Sequence, residues 1–538
     1  MKVKEQCSVL IVGAGPTGLT AAIELSRHGI ACRIIDKLPA AVQTSNALAI
    51  QARTLEIWQQ QGILPQALQH GYKVENINVF AGSQQIIQFQ VDQIHLPSPY
   101  PFLLALSQHQ TETILTAHLK SHYKTSIERS AQLIDLQITN HRVIAHYQTP
   151  HETKSIEAQW LIACDGSHST VRRLSNLTFK GKELTQHFIM ADLNIEGNLL
   201  EHGVYGFLAP QGVIAMLPLQ KNFYRLICDV TRDQQLFQSK TPQLDDFIRL
   251  AKERCPIDVR FSNPQWLTGF WIHARVMEQF RHGRLFFAGD AAHVHSPFGG
   301  QGMNTGIQDA HNLAWKLALV INNKAPESLL DSYQQERHPV AHKIVSQTTA
   351  ATRFISLKSA WLQWLRNHLF KWITRSKKFR YQFLLQASQL GIVYSQSAIC
   401  QQDITGKNFK DSPQASQRFP FIESLQSLFD TTKFQLLLLP SLNPSDDEIK
   451  NLTVLAQSIE QQYGEFITTS FITTTHQITN WNGNVYKDQN NTIHQLLGAT
   501  SQNNLYLVRP DRYISYRNQP IQIEKLQHYL QTKLFKHS

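Results

Sequence analysis

An apolar, β-branched run at residues 8–12 breaks directly into Gly-Ala-Gly-Pro-Thr-Gly and then into the helix-like TAAIELSRHG. Few local arrangements accept that order. Strand, tight turn and helix follow one another so closely that this end of the chain is committed to a βα unit on a parallel sheet. Gly13, Gly15 and Gly18 permit the turn and a close approach of backbone to a ligand, while Pro16 suits the first helical turn and Thr17 follows it. A second strand, 31–35, ends at Asp36 and Lys37. Asp36 lies 23 positions after Gly13, close to the roughly 20-residue spacing at which a carboxylate meets a ribose 2′-hydroxyl. With a pyrophosphate on the unpaired amides of the helix, the segment reads as a dinucleotide site.

Residues 283–304, GRLFFAGDAAHVHSPFGGQGMN, carry the second constraint. An apolar run, 285–288, ends at Gly289 and Asp290, whose ionised carboxylate can only accept hydrogen bonds and so suits a sugar-like hydroxyl. Pro297, Gly299, Gly300, Gln301 and Gly302 then keep side chains out of the way of a flat ligand. From Met303 and Asn304 onward, Ile307, Ala310, Leu313, Ala314 and Leu317 recur at helical spacing. The N-terminus of that helix, with its partial positive charge, suits an anionic or electron-accepting ring. A third segment, 160–173, repeats the pattern of strand and polar turn at Asp165 and Gly166. Alone it is an ordinary Asp-Gly turn.

In this order and at these distances, the three motifs resemble the single-component FAD-dependent aromatic hydroxylases of the p-hydroxybenzoate hydroxylase and phenol hydroxylase type, over residues 7–339. The resemblance implies FAD as cofactor, with Gly13, Gly15, Gly18 and Asp36 at its ADP half, Asp290 on the ribityl chain and 297–304 facing the isoalloxazine. It implies that Asp165 and Gly166 serve both FAD and NAD(P)H, that Arg53 in QARTLEIW lies near the phosphates, and that Gln108 in LSQHQTETIL touches FAD. The implied reaction takes NADPH or NADH and O2 and hydroxylates an aromatic, phenol-like or polycyclic small molecule through a flavin C4a-hydroperoxide. Ketone-inserting or dehalogenating oxygenation on the same scaffold, and a flavoprotein scaffold without turnover, stand as alternatives. No side chain is singled out as catalytic. Where many relatives carry Ser-Arg-Ala this chain has Ser45, Asn46 and Ala47, and Leu48 replaces the acidic residue of phenol hydroxylase.

The fold class expected is α/β, a Rossmann-like FAD-binding domain with an inserted mixed β-sheet and a thioredoxin-like tail. The expected boundaries are 1–180 and 276–400 for the FAD-binding domain, 181–275 for the substrate sheet and 401–538 for the tail. Phe207, Met216, Tyr224, His273 and His295 are the candidate cleft-wall residues, with ordinary sheet packing or surface exposure the favoured reading for each. The tail shows strand, helix, strand, hairpin and closing helix, and no cysteine follows its first strand, which excludes thiol exchange there. Packing or a homodimer contact is its expected role. Six scattered cysteines without CxxC spacing point to a reducing cytoplasm and give no metal site. A net charge of +11 has no nucleic-acid motif behind it. Part of the excess lies in 358–380, a basic amphipathic segment with Trp361, Leu365, Leu369 and Trp372 on one side. Packing that side on its own domain is the expectation, and contact with an anionic membrane is the alternative.

Overall fold

The computed structural model describes residues 5–42, 47–237, 241–297, 299–357, 359–405, 412–429, 431–474, 478 and 480–536. Ser45, Asn46 and Lys358, named above, lie outside them. Two compact units form, one from Met1–Ser26, Ala31–Ala310 and His338–Leu390, the other from Arg27–Ile30, His311–Arg337 and Gly391–Ser538.

The first unit is built on two eight-stranded sheets. In one, Leu285–Phe287, Thr153–Ala163, Glu5–Val12 and Cys32–Ile35 lie side by side and parallel. Val9, Leu10 and Ile11 are fully buried, as are Leu161, Ile162, Leu285, Phe286 and Phe287. Strands covered on both faces read as continuous apolar runs, which is why each was visible in the sequence. The helix Pro16–Arg27 packs Leu19, Ala22, Ile23 and Leu25 inward.

The second sheet is mixed, its long strands Phe179–Gly197 and Val259–Met277 pairing antiparallel. Phe207, Met216 and Tyr224 fall on one face, in a core with Leu226, Phe247 and Leu250 under the helix Leu244–Arg254. Strand alternation puts Val204, Leu217 and Leu219 on the opposite face, packed against Leu48, Val74 and Ala105.

In the second unit the sheet order is Gln401–Ile404, Ile514–Gln519, Asn504–Val508, Phe434–Leu439, Ile467–Thr473, Asn484–Lys487. Phe434–Leu439 runs parallel to Ile467–Thr473 through the helix Asp446–Tyr463, and antiparallel to the Asn504–Val508 arm of the hairpin. That is the thioredoxin-like arrangement. Cys400, the cysteine of this unit among the described residues, is free, and burial pushes its thiol up to about 11.

The basic segment departs from expectation. It forms two helices, Ala360–Ile373 and Lys377–Ala387, separated by a turn whose Ser376 caps the second. Its apolar side is not packed: Trp361 is 65% exposed and Trp372 72%. The helix is held instead through Gln363, Arg366 and Phe370, so the amphipathic stripe is real but faces solvent.

Candidate active site

The register fixes where the motif turns meet. Val12 stands beside Ala163 and Ile35, and Ala163 beside Phe287, so Gly13, Asp36, Cys164 and Ala288 all leave the sheet at one carboxyl edge. Ligands of open α/β sheets bind at such an edge. Gly13 has φ +104°, and a Cβ there would stand 2.3 Å from the Cys164 carbonyl oxygen. Thr17 is wedged between distant parts of the chain, since a Cβ added at Gly289 or Gly306 would lie 2.6 or 2.3 Å from its Oγ1. The glycine loop at the front and the Gly-Asp segment near the middle therefore lie against each other.

Asp36 closes the glycine loop. Its Oδ2 accepts from the Ala14 amide at 2.6 Å and its Oδ1 from Leu38 at 2.8 Å, with Arg129 at 3.8 Å. Lys37 is exposed beside it. A side chain at Gly15 would meet nothing within 4 Å, so the loop is open on its outer side at the helix N-terminus. Asp165 turns back on its own segment, its Oδ2 accepting from the Thr170 and Val171 amides at 2.7 and 3.1 Å. Burial raises its carboxyl above the usual range, although these amides and Ser169 pull the other way. Gly166, at φ +80°, has open space beside it.

Asp290 follows Gly289 in a short 3-10 turn. Solvent reaches its side chain, yet surrounding protein desolvates the carboxyl enough to raise it, with His293 opposing the shift. Asp309 supports the turn from behind, fully buried, with Oδ2 3.0 Å from the Gly289 amide and 2.8 Å from His293 Nε2. Sequence reasoning missed Asp309, which is one of several polar residues that this helix buries, Asn304, Gln308, Asn312 and Lys316 among them.

The glycine turn before the helix Gly302–Ile321 is stitched to the strand Ala49–Ile50. Asn304 Nδ2 donates to the Ala49 and Gly300 carbonyls at 2.7 and 2.8 Å, and its Oδ1 accepts from the Gln51 amide at 2.9 Å. Gln51 Nε2 returns a bond to the Gly299 carbonyl at 2.9 Å. Asn304 is thus a clamp on the loop, and Gln51, unnoticed in the sequence, is its counterpart. Gln301 gives its carbonyl to Thr305, Met303 is half-buried, and Pro297 is exposed. His295 Nδ1 lies 2.8 Å from the Ser296 carbonyl, which can only accept, so Nδ1 carries the proton and Nε2 the lone pair. Burial lowers His295 to about 4, against the partial support of that carbonyl. Nε2 is buried without a hydrogen-bond partner among the described residues, beside Gly302 at the helix N-terminus.

Arg53 and Gln108 are each held by a nearby carboxylate. Arg53 is 1% exposed and pairs with Glu56 at 3.0 Å, and Gln108 Nε2 donates to Glu112 at 2.9 Å. On the mixed sheet, Phe207, Met216 and Tyr224 sit in the core described above and His273 is exposed. The face toward Leu48 carries instead a buried pair, Arg225 bound to Asp192 through Nε and Nη2 at 2.8 and 2.7 Å. Arg225 Nη1 is buried without a partner among the described residues. Strand alternation in the sequence could have separated these two faces; which one meets Leu48 is a tertiary fact.

Comparison with known proteins agrees with this geometry. A family model described as FAD binding domain matches residues 6–348. The chain is 37% identical over 352 residues to 6-methylpretetramide 4-monooxygenase of Streptomyces rimosus, covering 65% of this chain and 63% of that protein. It is 34% identical over 369 residues to pentachlorophenol 4-monooxygenase of Sphingobium chlorophenolicum, covering 65% of each. The match thus spans just under two thirds of the length of these relatives. Among solved structures, anhydrotetracycline hydroxylase OxyS of Streptomyces rimosus superposes with a TM-score of 0.75 at 25% identity over 99% of both chains. Aklavinone-11 hydroxylase, solved with FAD and aklavinone, shares the fold at a TM-score of 0.77 and 21% identity. A family match that runs from the first strand through the glycine turn takes in every strand end gathered at this edge, and it makes the chain a member of the FAD binding domain family.

Proposed function

We propose that the protein is an FAD-dependent monooxygenase that uses NADPH or NADH and O2 to hydroxylate an aromatic or polycyclic small molecule. The observation that carries this reading is the wedge of Thr17 between Gly289 and Gly306, which sets the dinucleotide loop against the Gly-Asp segment. The residues present suit FAD. The open side of Gly15 would admit a pyrophosphate to the helix N-terminus, Asp36 would meet the ribose, and Asp290 would offer a carboxylate to ribityl hydroxyls. When bound, the flavin supplies the redox and oxygen chemistry.

What this chain's residues do is hold, orient and shield. The clamp of Asn304 and Gln51 fixes the backbone of Gly299 and Gly300 for the ring. The first amides of Gly302–Ile321 place a preorganised positive field where negative charge would gather on that ring's edge. Neutral His295 presents an acceptor nitrogen to the same point without adding a competing charge. Asp165 and Gly166 border the dinucleotide edge, where they would serve FAD and the nicotinamide substrate. Arg53, held by Glu56, and Gln108, held by Glu112, would act as fixed walls. On the substrate side, Arg225 offers Nη1 to an anionic or phenolic oxygen. The relatives named for pentachlorophenol and 6-methylpretetramide support a phenolic or fused-ring substrate. The test is a visible spectrum of the purified protein, followed by a screen of phenolic compounds for stimulated NADPH and O2 consumption. A yellow protein with substrate-dependent turnover is expected; a colourless one that cannot be reconstituted with FAD refutes the reading.

A further inference from the structure

The helix pair Ala360–Ile373 and Lys377–Ala387 has a surface that neither folding nor flavin binding explains. Gln363, Arg366 and Phe370 anchor the first helix: Gln363 Nε2 donates to the Leu357 carbonyl at 2.7 Å, and Phe370 packs with Ile355, Leu208 and Ile86. With that side fixed, Trp361, Trp364 and Trp372 are turned outward at 65, 61 and 72% exposure, with Leu365 and Leu369 between them. Phe379 and Phe383 continue the apolar stripe on the second helix. A soluble surface rarely leaves such a contiguous apolar patch uncovered.

Charge specifies what would cover it. No Asp or Glu occurs between Glu336 and Asp403, whereas ten Lys or Arg do. Lys377, Lys378 and Arg380 stand in the first turn of the second helix, the end at which the macrodipole disfavours cations. Beside them a cavity of about 350 Å³ opens between the edge strand Gln84–Gln90 and Lys371, Thr374, Arg375 and Arg380. None of its three cations meets a carboxylate among the described residues, and Arg380 Nε is buried without a hydrogen-bond partner. Lys371 at the end of the first helix, Arg375 in the turn and Arg380 at the start of the second line one open cavity without a carboxylate, a place that favours an anion. A second copy packed by two-fold symmetry would bring the same basic surface against itself. Outward Trp side chains flanked by Lys and Arg match the polar boundary of an anionic bilayer, where the indole lies among headgroups and the cations reach phosphate.

We propose that this helix pair docks on an anionic phospholipid surface, with the three Trp side chains at the interface and a lipid phosphate in the cavity of Lys371, Arg375 and Arg380. No helix among the described residues is long and apolar enough to cross a membrane, so the contact is one of lying on the surface.

The test uses the full chain in sedimentation with sucrose-loaded vesicles of phosphatidylcholine alone or with phosphatidylglycerol. Two variants accompany it, Lys371→Gln/Arg375→Gln/Arg380→Gln and Trp361→Ala/Trp364→Ala/Trp372→Ala, each checked for an unchanged far-UV spectrum and melting temperature. The parent is expected to sediment with the anionic vesicles only, less so at high salt, and its Trp emission to shift to the blue. The charge variant should bind roughly 100-fold more weakly, from about one kcal/mol for each cation near an anionic surface. The Trp variant should lose the emission shift and most of the binding. Equal binding to neutral vesicles, no binding, or binding untouched by either variant would overturn the proposal. So would a dimer that the Trp variant dissociates.

Discussion

The second unit holds a buried charge cluster whose removal should be felt across that whole unit. Glu336 is 1% exposed and accepts five hydrogen bonds. Its Oε1 takes Arg509 Nη1 and Ser397 Oγ, each at 2.6 Å, and its Oε2 takes Asn312 Nδ2, Lys316 Nζ and Arg509 Nη2 at 2.6, 2.7 and 2.9 Å. Asp511 balances Arg509 from the other side, bonded to its Nε at 2.9 Å. Burial alone would raise the Glu336 carboxyl, but Arg509 and Lys316 outweigh it and hold the group well below the usual carboxylate range. Burial also pulls Lys316 down to about 8 against the attraction of Glu336, so at neutral pH two cations face two anions. Glu336→Gln keeps the shape but leaves one uncompensated positive charge and turns an NH2 group toward donors in either orientation. Breaking a buried pair from one side costs about 3–5 kcal/mol. For a unit of about 180 residues, at roughly 2–4 °C per kcal/mol, its melting temperature should fall by roughly 6–20 °C. Differential scanning calorimetry reads that transition. Adding Lys316→Met restores neutrality, so the double variant should lie above the sum of the two singles by about 0.5–3 kcal/mol. A Glu336→Gln protein within 1 °C of the parent, or strict additivity in the double, would show that the cluster is not the charge-balanced unit described here.

Three further outcomes follow from the site. Gly18→Val would place a Cβ 1.9 Å from the Gly13 carbonyl oxygen, so bound flavin, measured by absorbance after purification, should fall at least about tenfold, a loss of roughly 1.4 kcal/mol in affinity. Asn304→Ala leaves the Ala49 and Gly300 carbonyls and the Gln51 amide without that partner. At about 1–3 kcal/mol for a buried group left unsatisfied, its melting temperature and its FAD affinity in a fluorescence titration should both drop, and an unchanged FAD affinity would remove the clamp from the argument. His295 supplies the pH dependence. Its folded value of about 4 lies below the ordinary 6.5, so the unfolded chain binds more protons between those values and this part of the stability is lost as pH falls from about 6.5 toward 4. Urea melts over that range should show a shallower acid decline in His295→Gln than in the parent.

How much of this was legible in the chain depends on what kind of fact each feature is. Strand, turn and helix at residues 8–27 are local consequences of an apolar run, two kinds of turn former and a 3.6-residue period, so they could be read from the sequence and lie where expected. The same holds for Leu285–Phe287 and Gly302–Ile321, and for the order of strand, helix and strand that begins at Phe434–Leu439. Asp309 could not be read, because its meaning lies in reaching Gly289 and His293 across a turn rather than in its neighbours along the helix. The same reason hides Glu56 and Glu112 as the partners of Arg53 and Gln108, since each partner is set by the fold and not by the motif. Phe207, Met216 and Tyr224 show a subtler limit: alternation says that they share a face, not which face the helix Leu244–Arg254 covers. The segment 358–380 states that limit most sharply. Its helical period separates Trp361 and Trp372 from Gln363 and Arg366 correctly, and a residue's apolarity argues for burial. Yet the anchors of that helix are the polar and aromatic residues on its other side, so the indoles are left to solvent. Periodicity thus orients an amphipathic helix only up to the choice of which side the protein claims, and when the protein claims the less apolar one, the remaining stripe is available to something outside the chain.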